Sequence, residues 1–287
     1  MWHGNYKAMP MTDRYAIIGH PVSQSLSPLI HKQFARMTGN SLTYDRIDCV
    51  SAKLEKTVEG FFAEGGLGLN VTVPHKKKAF LLADRVGMRA RKAGAVNILS
   101  VDKHGGIAGD NTDGTGLVRD LVRNLGIRLE GARLLLLGAG GAARGVIAPL
   151  AEQKIGSLTI ANRTYASALK LVESFAGLVE IHACRLNKLT ADFDLIIHAT
   201  AAGLKNTTPI FDGSVVRNAD CYDVMYGRRE TPFMVWAQRQ GAQSVTDGWG
   251  MLVEQAAESF HIWRGVWPET AMLIAARPSK RKRDSGS

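Results

Sequence analysis

The sequence predicts an α/β fold of two domains with a cleft between them. Three observations lead there. Short apolar runs alternate with amphipathic stretches along most of the chain, the pattern of a largely parallel sheet covered by helices. A continuous apolar run at residues 133–137 leads into Gly138-Ala139-Gly140-Gly141-Ala142-Ala143, a glycine turn between a strand and a helix. The length, 287 residues, accommodates two domains of ordinary size.

The elements follow in order. Residues 15–18 form a short strand that Gly19-His20-Pro21 ends. Ser27 and Pro28 open a helix, the serine as N-cap and the proline at the first helical position. Ile30, Phe34 and Met37 give that helix one apolar face, and Gly39 stops it. Residues 42–47 alternate as a strand, 54–62 read as a helix and 67–73 as a third strand. A helix is expected over 77–86, then an extended segment at 95–99 and a strand near 106–108. An amphipathic helix over 114–125 leads into the second domain. Strands at 133–137, 158–161, 195–199 and 221–225, with crossover helices at 142–153 and 165–175, make a Rossmann-like unit. A last helix, 251–263, follows the break at Gly248-Trp249-Gly250.

Composition narrows the class. Hydrophobic residues are 45% and charged residues 22%, the mix of a globular protein. No run of 18 apolar residues predicts a membrane span, and the first 20 residues lack the apolar core of a signal peptide. Cys49, Cys184 and Cys221 are odd in number and far apart, which suits reduced thiols in the cytoplasm. His182 and Cys184 alone do not make a metal site, so no metal is expected. The net charge is +10, of which a terminal run of five cations against one aspartate, from Arg277 to Asp284, supplies +4. Residues 280–287 read as a disordered basic tail. The remaining charge favours phosphates and carboxylates on small molecules. No recognition motif or aromatic platform supports binding of nucleic acid.

The glycine turn fits G-x-G-x-x-A, in which the backbone closely approaches a pyrophosphate and helix amides point at it. The end of the next strand, Ala161-Asn162-Arg163-Thr164, offers an arginine where an acidic residue would hold a ribose 2′-hydroxyl. Arg163 suits a 2′-phosphate, so NADP is expected over NAD. Lys76 and Asp113 lie at strand–loop junctions of the first domain. A lysine can bond the oxygen of a ketone under reduction and supply its proton, and an aspartate can hold that lysine. Lys76 therefore stands as the candidate acid/base with Asp113 beside it.

Several spaced motifs together resemble the shikimate/quinate dehydrogenase family, and within it the NADP-dependent shikimate dehydrogenases. They are Gly19-His20-Pro21-Val22 with Ser25-Leu26-Ser27-Pro28, Asn70-Val71-Thr72-Val73-Pro74-His75-Lys76, Gly94-Ala95-Val96-Asn97 and Gly109-Asp110-Asn111-Thr112-Asp113-Gly114. The series continues with the glycine turn, Asn162-Arg163-Thr164, Tyr222-Asp223-Val224-Met225-Tyr226 and residues 247–255, covering about 14–276. The resemblance implies reduction of 3-dehydroshikimate to shikimate with NADPH, on the route to aromatic amino acids. It implies that Ser25 and Ser27 bind the substrate carboxylate. Thr72, Asn97, Asp113, Tyr226 and Gln255 would surround the ring hydroxyls, with Asn70 supporting their loop. Gly138, Ala139, Gly140, Gly141, Ala142, Asn162, Arg163, Thr164 and Ser167 would bind NADP, with Val224 and Gly248 beside the nicotinamide. The implied substrate domain is discontinuous, 12–113 with 250–279, around a cofactor domain at 114–249. Ser167 stands where the family often has a second arginine, and His75 where it commonly has another aromatic residue. A quinate/shikimate enzyme using NAD, or a nucleotide sensor without catalysis, stays open, as does a monomer or a homodimer.

Overall fold

The computed structural model describes residues 12–190, 192–200, 211–227 and 229–277. The expected basic tail lies outside them. The first part runs β1 (Asp13–Gly19), α1 (Ser27–Thr38), β2 (Leu42–Asp48), α2 (Leu54–Ala63), β3 (Gly66–Val71), α3 (Lys76–Leu82), β4 (Arg85–Val86), α4 (Met88–Ala93), β5 (Ile98–Val101) and β6 (Ile107–Asp110). Its six strands are ordered β2-β1-β3-β5-β6-β4. This sheet is largely parallel, as expected, with β5 the one strand that runs against the other five. β5 runs antiparallel to both β3 and β6. A turn closed by bonds between Asp102 and Gly106 joins β5 to β6. That connection is too short for a parallel crossover, which takes a dozen residues or more.

Two local expectations also change. Ser27 is the first residue of α1 and Leu26 holds the N-cap position, with no side-chain cap. The Ser25 hydroxyl instead accepts from the Ser27 amide at 3.3 Å. The helix expected over 77–86 ends at Leu82. Asp84 accepts from the Ile107 amide at 2.7 Å, and Arg85 and Val86 pair with β6. The chain is thus drawn out of the helix onto the sheet edge.

The second part continues with α5 (Asp113–Arg119), β7 (Arg133–Leu137), α6 (Gly141–Ala151), β8 (Ser157–Ala161), α7 (Tyr165–Ser174), β9 (Ile181–Cys184), β10 (Leu195–His198), β11 (Asp220–Asp223), α8 (Pro232–Arg239), β12 (Ser244–Asp247), α9 (Trp249–Arg264) and α10 (Ala271–Ala275). All six strands are parallel, in the order β12-β11-β10-β7-β8-β9. This is a doubly wound sheet whose order reverses between β7 and β10, where such folds hold their ligands. Leu134 to Leu137 are buried on both faces, so β7 carries no alternation. Among the described residues no helix is long and apolar enough to cross a membrane.

Helix α9 returns from the second sheet to the first. Val253, Ala256, Ala257 and Phe260 pack with Ile30 and Phe34 of α1. Against α5 the approach is close: a Cβ on Gly116 would lie 2.7 Å from the Gln255 amide nitrogen. Only glycine fits there.

His31 of α1 is enclosed in this packing, 1% exposed and stacked on Tyr44 at 4.2 Å. Burial holds its pKa down to about 3. The unfolded chain takes up this proton below about pH 6.5, and the folded chain does not until about pH 3. The contribution is complete above pH 6.5 and is lost as pH falls toward 3. The loss approaches ~1.4 kcal/mol per pH unit within that window. Denaturant midpoints measured from pH 4 to pH 7 should therefore fall less steeply with acid in His31→Phe than in the parent. Equal slopes would assign the acid sensitivity to other groups.

Candidate active site

The sheet topology brings the first-domain candidates to one edge. β3 and β6 run in the same direction on either side of antiparallel β5. Their C-terminal ends and the start of β5 therefore share a rim. Lys76 opens α3 just past β3, Asp113 opens α5 just past β6, and Asn97 precedes β5. The Lys76 ammonium donates to Asp113 Oδ2 at 2.5 Å, with the side chains 30% and 13% exposed. The pair is half-sheltered yet open enough to meet a substrate.

Asn97, 2% exposed, fixes the aspartate. Its Nδ2 donates to Asp113 Oδ1 at 2.8 Å, and its Oδ1 accepts from the Thr112 amide at 2.8 Å. The Asp113 amide donates to Asn111 at 3.0 Å, and Asn111 donates to the Ala95 carbonyl at 3.0 Å. Thr112 donates to the Gln255 carbonyl at 3.1 Å, while Asn97 Nδ2 lies 3.4 Å from Gln255 Oε1. Asn70 stands beneath, accepting from Tyr44 at 2.7 Å and donating to Ser259 at 3.0 Å. Lys76, Asn97, Asp113 and Gln255 thus form one bonded group, with Asn70 under it.

The other first-domain candidates stand apart. Ser25 donates to Ser27 at 3.2 Å after β1, and Arg46 holds the Ser25 carbonyl at 2.6 Å. Thr72 rests its methyl against Gly19 and donates its amide to Ile18. Tyr226 packs against the cluster of Ile30, Phe34 and Trp249, and burial raises its phenol pKa. None of these four bonds directly to Lys76 or Asp113. His75 is fully buried, its Nε2 bonded to the Cys49 carbonyl at 2.6 Å, so it anchors the turn before Lys76.

Gly138 ends β7 with φ +117°, and a Cβ on it would lie 2.8 Å from the Ala199 carbonyl oxygen, at the point where the strand order reverses. Gly140 holds the N-cap position of α6 with no side-chain cap, and the space beside Gly140 and Gly141 is open. Ala139 is partly buried and Ala142 exposed on the same turn. The uncapped amides of an eleven-residue helix above open space fit a pyrophosphate. The same helix meets the first domain, where a Cβ on Gly94 would lie 3.2 Å from Arg144 Nε. At the end of β8, Asn162 donates to the Thr164 carbonyl at 3.0 Å and the Ser167 amide donates to the same oxygen at 3.0 Å. Arg163 is exposed and has no ion pair among the described residues. This donor set fits an anionic dinucleotide. Val224 bonds its amide to the His198 carbonyl, and Gly248 packs on the Val224 backbone.

Sequence reasoning missed the supporting residues. Asn111 and Thr112 lie inside a motif already singled out, so their local spacing was a usable signal. Tyr44 and Ser259 read only as a strand and a helix position. His198 and Asp223 read only as positions within strands. They form a buried pair at 3.1 Å, and Asp223 also accepts from Thr231 at 2.5 Å, behind Val224. His182 pairs with Glu180 at 2.9 Å, and among the described residues no His, Cys, Asp or Glu cluster could hold a metal.

The fold and the glycine turn define a two-domain, dinucleotide-binding α/β protein. Models of three domains match it: the shikimate dehydrogenase substrate binding domain over 17–99, shikimate/quinate 5-dehydrogenase over 120–225 and the shikimate 5′-dehydrogenase C-terminal domain over 248–271. The NADP(+) shikimate dehydrogenase of Alkalilimnicola ehrlichii is 51% identical over 267 residues, 93% of this chain and 98% of that one. The crystal structure of the Ael1 enzyme of Pseudomonas putida superposes with a TM-score of 0.89 at 42% identity, covering 94% of this chain and 100% of that one. Shikimate 5-dehydrogenase of Thermus thermophilus, solved with NADP(H) and shikimate, gives 0.82 at 31% identity, covering 92% and 98%. The chain belongs to the shikimate dehydrogenase family.

Replacing Asn97 by alanine leaves the Thr112 amide and one Asp113 oxygen without their side-chain partner. Stability measured by urea unfolding without ligand should fall by about 1–3 kcal/mol, the usual cost of an orphaned buried group. An unchanged midpoint would mean that water replaces the amide at no cost.

Proposed function

We propose that the chain reversibly reduces 3-dehydroshikimate to shikimate with NADPH, in the biosynthesis of aromatic amino acids. One observation carries the reading: the Lys76–Asp113 pair, held by Asn97, at a rim that the glycine-turn helix α6 abuts. Family membership supports the substrate and the cofactor. When bound, NADPH supplies the hydride that reduces the ketone carbon. The Lys76 ammonium gives a proton to the ketone oxygen as negative charge grows there. Asp113 keeps that ammonium aimed, and Asn97 keeps Asp113 aimed. In the reverse direction neutral Lys76 takes the hydroxyl proton.

The remaining assignments complete this reading. Ser25 and Ser27 take the substrate carboxylate, and Thr72, Asn97, Asp113, Tyr226 and Gln255 its hydroxyls, over Asn70. Gly138 to Ala142 cradle the pyrophosphate. Asn162, Arg163, Thr164 and Ser167 meet the 2′-phosphate end, and Val224 and Gly248 the nicotinamide end. Residues 12–113 with 250–279 serve as the substrate domain and 114–249 as the cofactor domain, each with its own sheet. We place the enzyme in the cytoplasm, in keeping with three free cysteines, one of them Cys221, whose buried thiol is pushed up to about 12. Each assigned residue belongs to one chain, so a monomer or a homodimer would suffice.

The test is shikimate oxidation followed by NADPH absorbance, with NAD and quinate alongside. Turnover with shikimate and NADP is expected, and no turnover with any pair would sink the enzyme reading. Lys76→Ala should lower kcat by about 10²–10⁴-fold and leave shikimate binding nearly unchanged, since a proton donor acts chiefly in the transition state. Near-normal turnover of the folded variant would remove Lys76 from the acid/base role.

A further inference from the structure

We propose that Arg185 is a second cation for the 2′-phosphate of NADP and so a determinant of cofactor preference; this rests on the NADP reading above. Arg163 is the arginine that local sequence pointed to. Arg185 is 22 positions later by number and its place emerges only from the sheet. β8 and β9 are parallel neighbours, with Ala161 paired to Cys184. The next residues, Asn162 and Arg185, therefore leave the sheet side by side, about 4.8 Å apart at strand spacing. Both emerge at the C-terminal ends of the strands, the edge at which doubly wound sheets bind their ligands.

The side chain is also directed. The Arg185 guanidinium carbon lies 4.5 Å from the centroid of the Tyr165 ring. Tyr165 is the first residue of α7, two positions after Arg163. The guanidinium is thus drawn from β9 across to the turn that holds Asn162, Arg163 and Thr164. Among the described residues it has no carboxylate partner. The acid on its own strand segment, Glu180, is bonded to His182 at the other end of β9. Of the other arginines near the cofactor helix, Arg144 is already engaged with Phe175 and Ser174. Arg185 is therefore a cation held in place without a counter-ion.

A phosphate monoester explains such a group. It carries about −1.5 to −2 charges at neutral pH, more than one arginine balances. A guanidinium held over an aromatic face by its central carbon can still offer its N–H groups to oxygen. Its rotamer freedom is already reduced by the ring, so less ordering remains when the phosphate binds. The ribose hydroxyl of NAD carries no charge and gains little from Arg185.

Calorimetric titration of the full-length apoprotein with NADP, NAD and 2′,5′-ADP separates the possibilities. Arg185→Ala should weaken NADP and 2′,5′-ADP about tenfold, the scale of a charge-assisted bond at an open site, and NAD less than about twofold. Arg185→Gln, which keeps most of the stem, should behave the same way, so a folding defect peculiar to alanine does not obscure the result. Tyr165→Phe should retain affinity, whereas Tyr165→Ala should lose part of the preference for 2′-phosphate. If Arg163→Ala loses the 2′-phosphate preference and both Arg185 variants keep it, the inference about Arg185 is overturned and the NADP reading stands. Equal weakening of NAD and NADP would overturn it too, by making Arg185 structural. A parent protein that binds NAD as tightly as NADP would overturn the NADP reading, and this inference with it.

Discussion

The close crossing of α5 and α9 is the contact on which the rest of the molecule depends. α5 leaves the first sheet and α9 returns to it, so these helices join the two halves. Gly116 lets the backbones meet, and Thr112, just before Asp113 at the head of α5, bonds the Gln255 carbonyl of α9. The same pair is anchored in the second sheet by Asp120, which accepts from the buried Tyr222 hydroxyl at 2.6 Å. Burial raises the pKa of this carboxyl, and Asn124 joins it at 2.9 Å. At the other end, Phe260 and Val253 hold α9 against Ile30 and Phe34 of α1. A larger residue at 116 would push apart the elements that bring the rim together.

The chemistry at that rim is divided between one ion pair and a set of neutral groups. Asn97, Thr112, Asn111, Asn70 and Ser259 are uncharged, and they fix the aspartate without adding a second charge beside Lys76. Charge-assisted bonds are the stronger ones, and Asp113 receives two, from Lys76 and from Asn97. Buried amides are costly unless bonded, so each also limits how its neighbours can turn. The network resists displacement of Asp113 because several bonds would break together.

The parts legible in the sequence were those whose signal is local. β7 has its unbroken apolar run because helices cover both faces. The glycine turn and the segments bearing Lys76 and Asp113 carry their meaning in a few adjacent residues. β9 and β12 were missed because they are edge strands of four residues each, Ile-His-Ala-Cys and Ser-Val-Thr-Asp, too short to show a clear period. The antiparallel course of β5 depended on a five-residue connection whose tightness the strand pattern does not report. Asn70 and Ser259 are 189 residues apart and meet only through the return of α9. No periodicity encodes such a pairing. Ser27 was misplaced for a subtler reason: its neighbour Ser25 does the local hydrogen bonding that a cap would do.

The net charge of +10 acquires a different meaning once residues are placed. Read as composition, it favoured anions in general. In space, the cations of interest sit at the C-terminal rims of two different sheets: Lys76 at the first, Arg163 and Arg185 at the second. The pair of serines proposed for the substrate carboxylate is neutral. Under that assignment a carboxylate is held by hydroxyls and positioned by shape, while the phosphate at the far end of the cofactor is held by charge. Under the same assignment Lys76 faces the ketone, and among the described residues it is the one cation paired with Asp113. Long-range attraction serves the cofactor, whose anionic groups lie away from the reacting carbon, and short directed bonds serve the atoms that react. The two demands conflict within one pocket, since added positive charge would draw Asp113 away from Lys76. Placing them on separate sheets, joined through α5 and α9, lets each be met.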